Sequence, residues 1–199
     1  MVVGRNWREV LRNSLRLPLP EYLGIALFLP VAIYSISQTF PRVLDRLHGI
    51  NSLPLYDSFL ALFLLALVEE IAWRGYLQPQ FIARFGLYRG IFFVGIVWAA
   101  FHFSGDFRSE QTDTAVLRAL VERLLGAILI GFALSWLTLR SKSLLPAAVT
   151  HTVVNGISNS AGSSFYLALV LWAVADLLLF RFWPPRKIAS GTSNHSYSF

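Results

Sequence analysis

The chain alternates long apolar blocks with short polar breaks. The blocks run for about 16 to 24 residues, close to the length an α-helix needs to cross a hydrocarbon core of roughly 30 Å. Six blocks are predicted, over residues 22–40, 57–80, 89–104, 116–139, 144–160 and 164–183. Pro41, Pro54, Gly86, the polar stretch 104–114 and the breaks 141–143 and 162–164 separate them. Proline, glycine and serine in such places end helices. The expectation is an all-α fold, a multi-pass transmembrane helix bundle of about six spans, forming one integral membrane domain over 1–183. No internal repeat is visible and no soluble domain is inserted. Residues 184–199 are polar and serine-rich, and a disordered tail is expected there, which discounts His195 as a ligand. The first block follows Arg5, Arg8, Arg12 and Arg16, as a signal peptide would. It is longer than a signal core and no small-x-small site closes it, so an uncleaved first span is expected.

Composition sharpens the membrane reading. Only 14% of residues are charged and 55% are hydrophobic, against about 25% charged in ordinary soluble domains. A soluble domain of this size needs more polar residues to cover its outside. The absence of cysteine excludes disulfides, zinc ribbons and thiol catalysis. A net charge of +6 would point to nucleic acid in a soluble protein. Here the basic residues flank apolar blocks, which is the pattern of membrane topology and anionic-lipid contact, so nucleic acid is not an expected partner. With the N-terminus inside, the cytoplasmic segments hold Arg5, Arg8, Arg12, Arg16, Arg84, Arg89, Arg140, Lys142, Arg181, Arg186 and Lys187. The outer segments hold Arg42, Arg46, Arg108, Arg118 and Arg123, with Asp106, Glu110 and Asp113 beside them. The positive-inside rule then places both termini in the cytoplasm of a cell membrane. The fourth span begins with Arg118, Glu122 and Arg123, an interfacial start in which Arg118 and Glu122 form an i,i+4 pair.

Ionisable groups inside apolar helices carry the candidate chemistry. The second span contains Glu69, Glu70 and Arg74. Each charge there costs at least a few kcal/mol unless paired or hydrated, so such residues face a protein interior or a wet cavity. A structural ion pair would account for one glutamate and the arginine. Glu70 and Arg74 are four apart and share a helix face, whereas Glu69 is about 100° around from Glu70. Glu69 is therefore the less neutralised carboxylate and the candidate general base. The third span ends with Trp98 and His102, and the fifth carries His151 and Asn155, again four apart on one face. His151 and Asn155 are candidates either for interhelical glue or for oxyanion donors. Counted at ~1.5 Å per residue, these groups fall within about 10–15 Å of one another in depth, with His102 the outlier. Tilt, or a third helix running past Ser104, would bring His102 deeper. Arg74, the two glutamates, Asn155 and the hydroxyls of Thr150 and Thr152 are candidates to line a hydrated cavity. Asp176 is a lone carboxylate in the last span, with Arg181 five residues on as its candidate partner. Gly86 and Gly90 fit GxxxG, a weak packing signal.

Taken together, these stretches resemble the CPBP family of intramembrane proteases, the group named for CAAX proteases and bacteriocin processing and also called the Abi family. Its EExxxR motif is matched by Glu69, Glu70 and Arg74, followed by Gly75. Its HxxxN motif is matched by His151 and Asn155. Its FxxxH motif is matched at His102, with Trp98 in place of the usual Phe. The resemblance covers roughly residues 57–160. It implies hydrolysis of a peptide bond in a membrane-associated protein or peptide, prenylated CAAX tails among the options. In that scheme Glu69 activates water and His102 assists it. His151 and Asn155 stabilise the oxyanion, while Glu70 and Arg74 position Glu69 and shape the site.

A metal-free glutamate mechanism, with no cofactor required, is the preferred reading. The alternative is a catalytic Zn2+ on Glu69, His102 and His151, although the chain has no HExxH. Two functional rivals stand beside the protease. One is a non-catalytic family member, such as a bacteriocin-immunity factor or membrane scaffold. The other is a small transporter, which would be expected to show matched repeats or broken helices.

Overall fold

The computed structural model of the chain describes residues 15–37, 55–109, 112–158 and 165–185. All elements among them are helical: α1 (Pro20–Ser37), α2 (Leu55–Glu70), a π-helical segment (Ile71–Leu77), α3 (Gln78–Phe85), α4 (Leu87–Ser109), α5 (Asp113–Ser141), α6 (Leu145–Ser158) and α7 (Phe165–Phe182). Because α2, the π segment and α3 follow one another without a break, the described chain makes six helical passages. His48, His195 and the tail from 186 onward lie outside the described residues.

Four of the passages are long and apolar enough to cross a membrane: α1, α4 over Leu87–Gly105, α5 and α7. The other two carry Glu69, Glu70 and Arg74, and His151 and Asn155. The 14 described residues of α6 span ~21 Å, against a ~30 Å hydrocarbon core. This helix lies against α1, α2 and α5. The second passage is interrupted by its π segment, where Gln78 N–H bonds to the Trp73 carbonyl five residues back. The apolar outer faces of the bundle include Leu27, Phe28 and Ile36 on α1 and Leu65 and Val68 on α2. On α7, Val170, Leu177 and Leu178 do the same. So large an exposed apolar surface is stable only against lipid. The protein is an all-α membrane bundle.

Boundaries shift by a few residues from the hydropathy blocks, with one consequential difference. Residues 104–109 belong to α4 rather than to a polar loop, so His102 sits inside a helix and not at its end.

Close packing follows from small residues and from repair of the backbone. Pro30 in α1 has no N–H, which leaves the Ala26 carbonyl without its usual partner four residues on. The Thr150 hydroxyl of α6 donates to that carbonyl at 3.0 Å. The Thr152 hydroxyl donates to Ala148 O of its own helix at 2.8 Å. Both threonines are buried in helix packing, and neither hydroxyl is available to line a hydrated cavity, contrary to the sequence expectation.

Tyr22 of α1, Trp136 of α5 and Trp183 beyond α7 pack together, with ring centroids 5.8 to 6.5 Å apart. Trp136 Nε1 donates to Trp183 O at 2.7 Å. The start of α1 and the ends of α5 and α7 therefore share one face of the bundle.

Gly86 ends α3 with φ +81°, a left-handed conformation that favours glycine. Gly90 lets α4 fold back onto α3. A Cβ at position 90 would lie 2.6 Å from Ile82 N and 2.7 Å from Ile82 Cα. These are backbone atoms and cannot swing away, so the weak GxxxG signal marks a real close approach. Gly90→Ala is expected to destabilise the protein by about 1–3 kcal/mol, the usual range for overpacking. Thermal unfolding in a fixed detergent checks this, and a Tm at or above that of the wild type would show that the two helices can separate freely.

Candidate active site

The sequence candidates gather midway along the bundle, on the second passage, α4 and α6. Glu70 and Arg74 are both fully buried, and Arg74 Nη1 donates to Glu70 Oε1 at 3.0 Å. His151 Nδ1 lies 2.9 Å from the same Glu70 oxygen. A carboxylate paired with a guanidinium accepts hydrogens only, so Nδ1 is the protonated nitrogen of that contact. The Nε2 edge of His151 is thereby turned to Glu69, whose Oε2 is 4.0 Å away.

Glu69 differs from its neighbour in the way the helix geometry requires. Its side chain keeps 17% exposure against 0% for Glu70. Trp98 Nε1 of α4 donates to Glu69 Oε2 at 3.2 Å. The same indole lies beneath the Arg74 guanidinium, 4.6 Å from Cζ to the ring centroid. It also meets His151 edge-on, with centroids 5.1 Å apart. Trp98 thus touches Glu69, Arg74 and His151 at once. A phenylalanine in its place would supply a ring but no N–H.

His102 stands one turn beyond Trp98 and is half-buried. Its Nδ1 lies 2.9 Å from Trp98 O. A carbonyl can only accept, so this nitrogen carries the hydrogen, and in the neutral ring Nε2 holds the lone pair. Among the described residues His102 makes no hydrogen bond or ion pair with either glutamate; it joins the cluster through Trp98, whose ring is 6.0 Å from its own. Asn155, one turn beyond His151, is partly exposed.

The three candidates for a zinc site, Glu69, His102 and His151, do not come together as a ligand set. No group of three His, Cys, Asp or Glu side chains among the described residues is arranged to hold a metal ion.

Asp176 is buried in α7, and neither of its carboxylate oxygens has a hydrogen-bond partner among the described residues. The expected Arg181 partner is exposed, with its guanidinium over the Phe182 ring at 5.8 Å. Leucine carries two methyls on the same branch where aspartate carries two oxygens. Asp176→Leu is therefore expected to hold or raise stability, by up to about 3 kcal/mol, by removing an unpaired buried polar group. A Tm several degrees below wild type would mean that the carboxylate has a working partner.

Sequence reading missed one part of the site's surroundings. Gln78 is fully buried four residues beyond Arg74, extending the line Glu70–Arg74–Gln78, and Ser135 Oγ of α5 donates toward Gln78 Oε1 at 2.6 Å. The i,i+4,i+8 spacing was the available signal. The π segment that carries Arg74 has no sequence signature of comparable clarity.

A family profile described as type II CAAX prenyl endopeptidase Rce1-like matches residues 51–157, just over half of the chain. The chain is 27% identical over 100 residues to a protein of Methanococcus maripaludis named CAAX prenyl protease 2. The match takes in 47% of this chain and spans 36% of the relative's length. No solved structure matches.

Proposed function

The chain belongs to the Rce1-like type II CAAX prenyl endopeptidases, within the CPBP family, and from that membership we propose that it is an intramembrane endopeptidase acting on a membrane-associated protein or peptide. The single observation that carries the reading is the pair of facing groups Glu69 Oε2 and His151 Nε2, 4.0 Å apart in the bundle interior. A water making hydrogen bonds of ~2.8 Å to both atoms spans that gap at close to a right angle.

Glu69 is the general base of this reading. It takes a proton from the water as the oxygen attacks the scissile carbonyl, and it is oriented by Trp98 N–H. The tetrahedral oxyanion is held by the Asn155 amide and by His151 when Nε2 carries a hydrogen. Glu70 fixes the His151 ring through Nδ1, and Arg74 fixes Glu70. His102, with Nε2 as an acceptor, assists the proton transfers from beyond Trp98. No step is assigned to a metal. CAAX-type prenylated tails belong to the proposed substrate class. The reading includes a cell-membrane location with both termini cytoplasmic, supported by the basic residues that cluster toward the face shared by Tyr22, Trp136 and Trp183.

The test compares wild type with Glu69→Gln at matched expression in the native host, sequencing the ends of membrane-associated peptides. Ends made only by wild type are expected. Identical ends, with substrates adequately covered, would move the reading to a non-catalytic family member.

A further inference from the structure

Six helix ends meet at one end of the bundle. Tyr22 and Trp183, with ring centroids 6.5 Å apart, bring the start of α1 to the end of α7. Arg140 Nη1 donates to Pro184 O at 3.3 Å and adds the end of α5. The Tyr88 ring lies 5.8 Å from that of Phe180 and adds the start of α4, which Gly86 joins to the end of α3. Residues 142–144 join α5 to the start of α6.

Charge is divided unequally between this end and the opposite one. Among the described residues, Arg16, Arg84, Arg89, Arg140, Lys142 and Arg181 stand here against one acid, Glu21. The elements at the opposite end carry Asp57, Asp106, Asp113 and Glu122 beside Arg108, Arg118 and Arg123, a near balance. All six cations of the first end are exposed except Arg140, which is half-buried. The Arg140 guanidinium sits over the Trp183 ring, 5.3 Å from Cζ to the centroid. It has five donors, and the bond to Pro184 uses one.

Apolar side chains stand among these cations. Leu15, Leu17 and Leu19, just before α1, are 48%, 84% and 58% exposed, and Phe182 is 76% exposed. A soluble polyanion would neutralise the cations and leave these side chains in water. Hydrocarbon alone would cover the side chains and strand the charges. The boundary between lipid headgroups and acyl chains meets both demands, with aromatic rings such as Trp183 at headgroup level. Zwitterionic headgroups offer the cations no net attraction, whereas anionic ones do.

We propose that this end of the bundle is a binding surface for anionic phospholipid, with headgroup phosphates held by the basic side chains at the start of α1 and the ends of α5 and α7. None of these residues belongs to the Glu69–His151 site. The proposal is therefore independent of the proteolytic reading, and of which leaflet this end faces.

The test reconstitutes the protein in phosphatidylcholine bilayers containing brominated phosphatidylcholine or brominated phosphatidylglycerol and reads the quenching of tryptophan fluorescence. The part of the signal that Trp183→Phe removes reports lipid beside position 183. Phosphatidylglycerol is expected to hold that place at least about fivefold more strongly than phosphatidylcholine, the effect of one cation near a charged surface. The preference should shrink as salt rises. Arg16→Gln, Lys142→Asn and Arg181→Gln together should lower it by at least about threefold. These side chains are exposed, and asparagine suits the left-handed backbone of position 142, φ +55°. Arg118→Gln, at the opposite end, should leave the preference unchanged. Equal quenching by the two lipids in wild type overturns the proposal. So does a preference that the triple change leaves intact, or that Arg118→Gln lowers as much. Loss of the preference on adding inorganic phosphate at constant ionic strength would assign the site to free phosphate and overturn the choice of lipid. Should the triple variant not fold, the three single variants are read in the same way, and a preference lowered by none of them overturns the proposal.

Discussion

Glu69→Gln is expected to lower the rate of peptide hydrolysis by about 100-fold to 10,000-fold, the range general-base catalysis supplies. The fold should survive the change. With its amide oxygen in the place of Oε2, a glutamine at position 69 still accepts the Trp98 N–H. Glu70, Arg74 and the His151 Nδ1 contact do not involve Glu69 at all. A proton acceptor used in the chemical step acts on kcat with little change in KM. The measurement is steady-state cleavage of a membrane-associated substrate identified by the peptide-end comparison, alongside thermal unfolding of both proteins. A variant that is folded and cleaves at the wild-type rate sinks Glu69 as the base. A variant that fails to fold would instead contradict the argument that Trp98 is satisfied by either residue.

Much of this arrangement was legible in the sequence, for a physical reason. Charges in an apolar helix are so costly that they stand out against their surroundings, and the four-residue spacing of Glu70 and Arg74 points to their pairing. The same spacing set Glu69 apart, and the structure leaves Glu69 with the greater exposure of the two. Long apolar blocks gave the six passages because lipid imposes both length and composition. What stayed hidden depended on contacts between helices. Thr150 and Thr152 read as cavity-lining hydroxyls, yet one mends the backbone beside Pro30 and the other bonds within its own helix. Trp98 read only as an aromatic in place of the usual Phe, and its N–H found a carboxylate 29 residues away in the chain. The π segment changes the phase of the second passage just where Arg74 sits. Such a change arises from how a helix meets its neighbours, and a period count along one chain does not register it.

Arg74→Met is expected to destabilise the protein by about 3–5 kcal/mol, because it leaves the Glu70 carboxylate buried without its cation. At roughly 2–4 °C per kcal/mol for a chain of this length, the loss in Tm is on the order of 10 °C. Activity should fall with it, and the drop alone would not separate a positioning role from simple unfolding. The double variant Glu70→Gln/Arg74→Met separates them. Glutamine keeps an oxygen for the His151 Nδ1 hydrogen, methionine fills the space over Trp98, and no buried charge is left unpaired. Replacing a buried ion pair by neutral groups of similar size is often close to neutral for stability. The double variant should therefore regain most of the lost Tm. Its hydrolytic rate should remain far below wild type, because the charge that anchors the His151 ring is gone and the ring no longer presents Nε2 to Glu69 in one fixed orientation. If stability and rate return together, Glu70 and Arg74 serve only to hold the helices in place. If stability fails to return, the cost of Arg74→Met does not come from a stranded Glu70 charge, and the pair is held by packing around Trp98 instead.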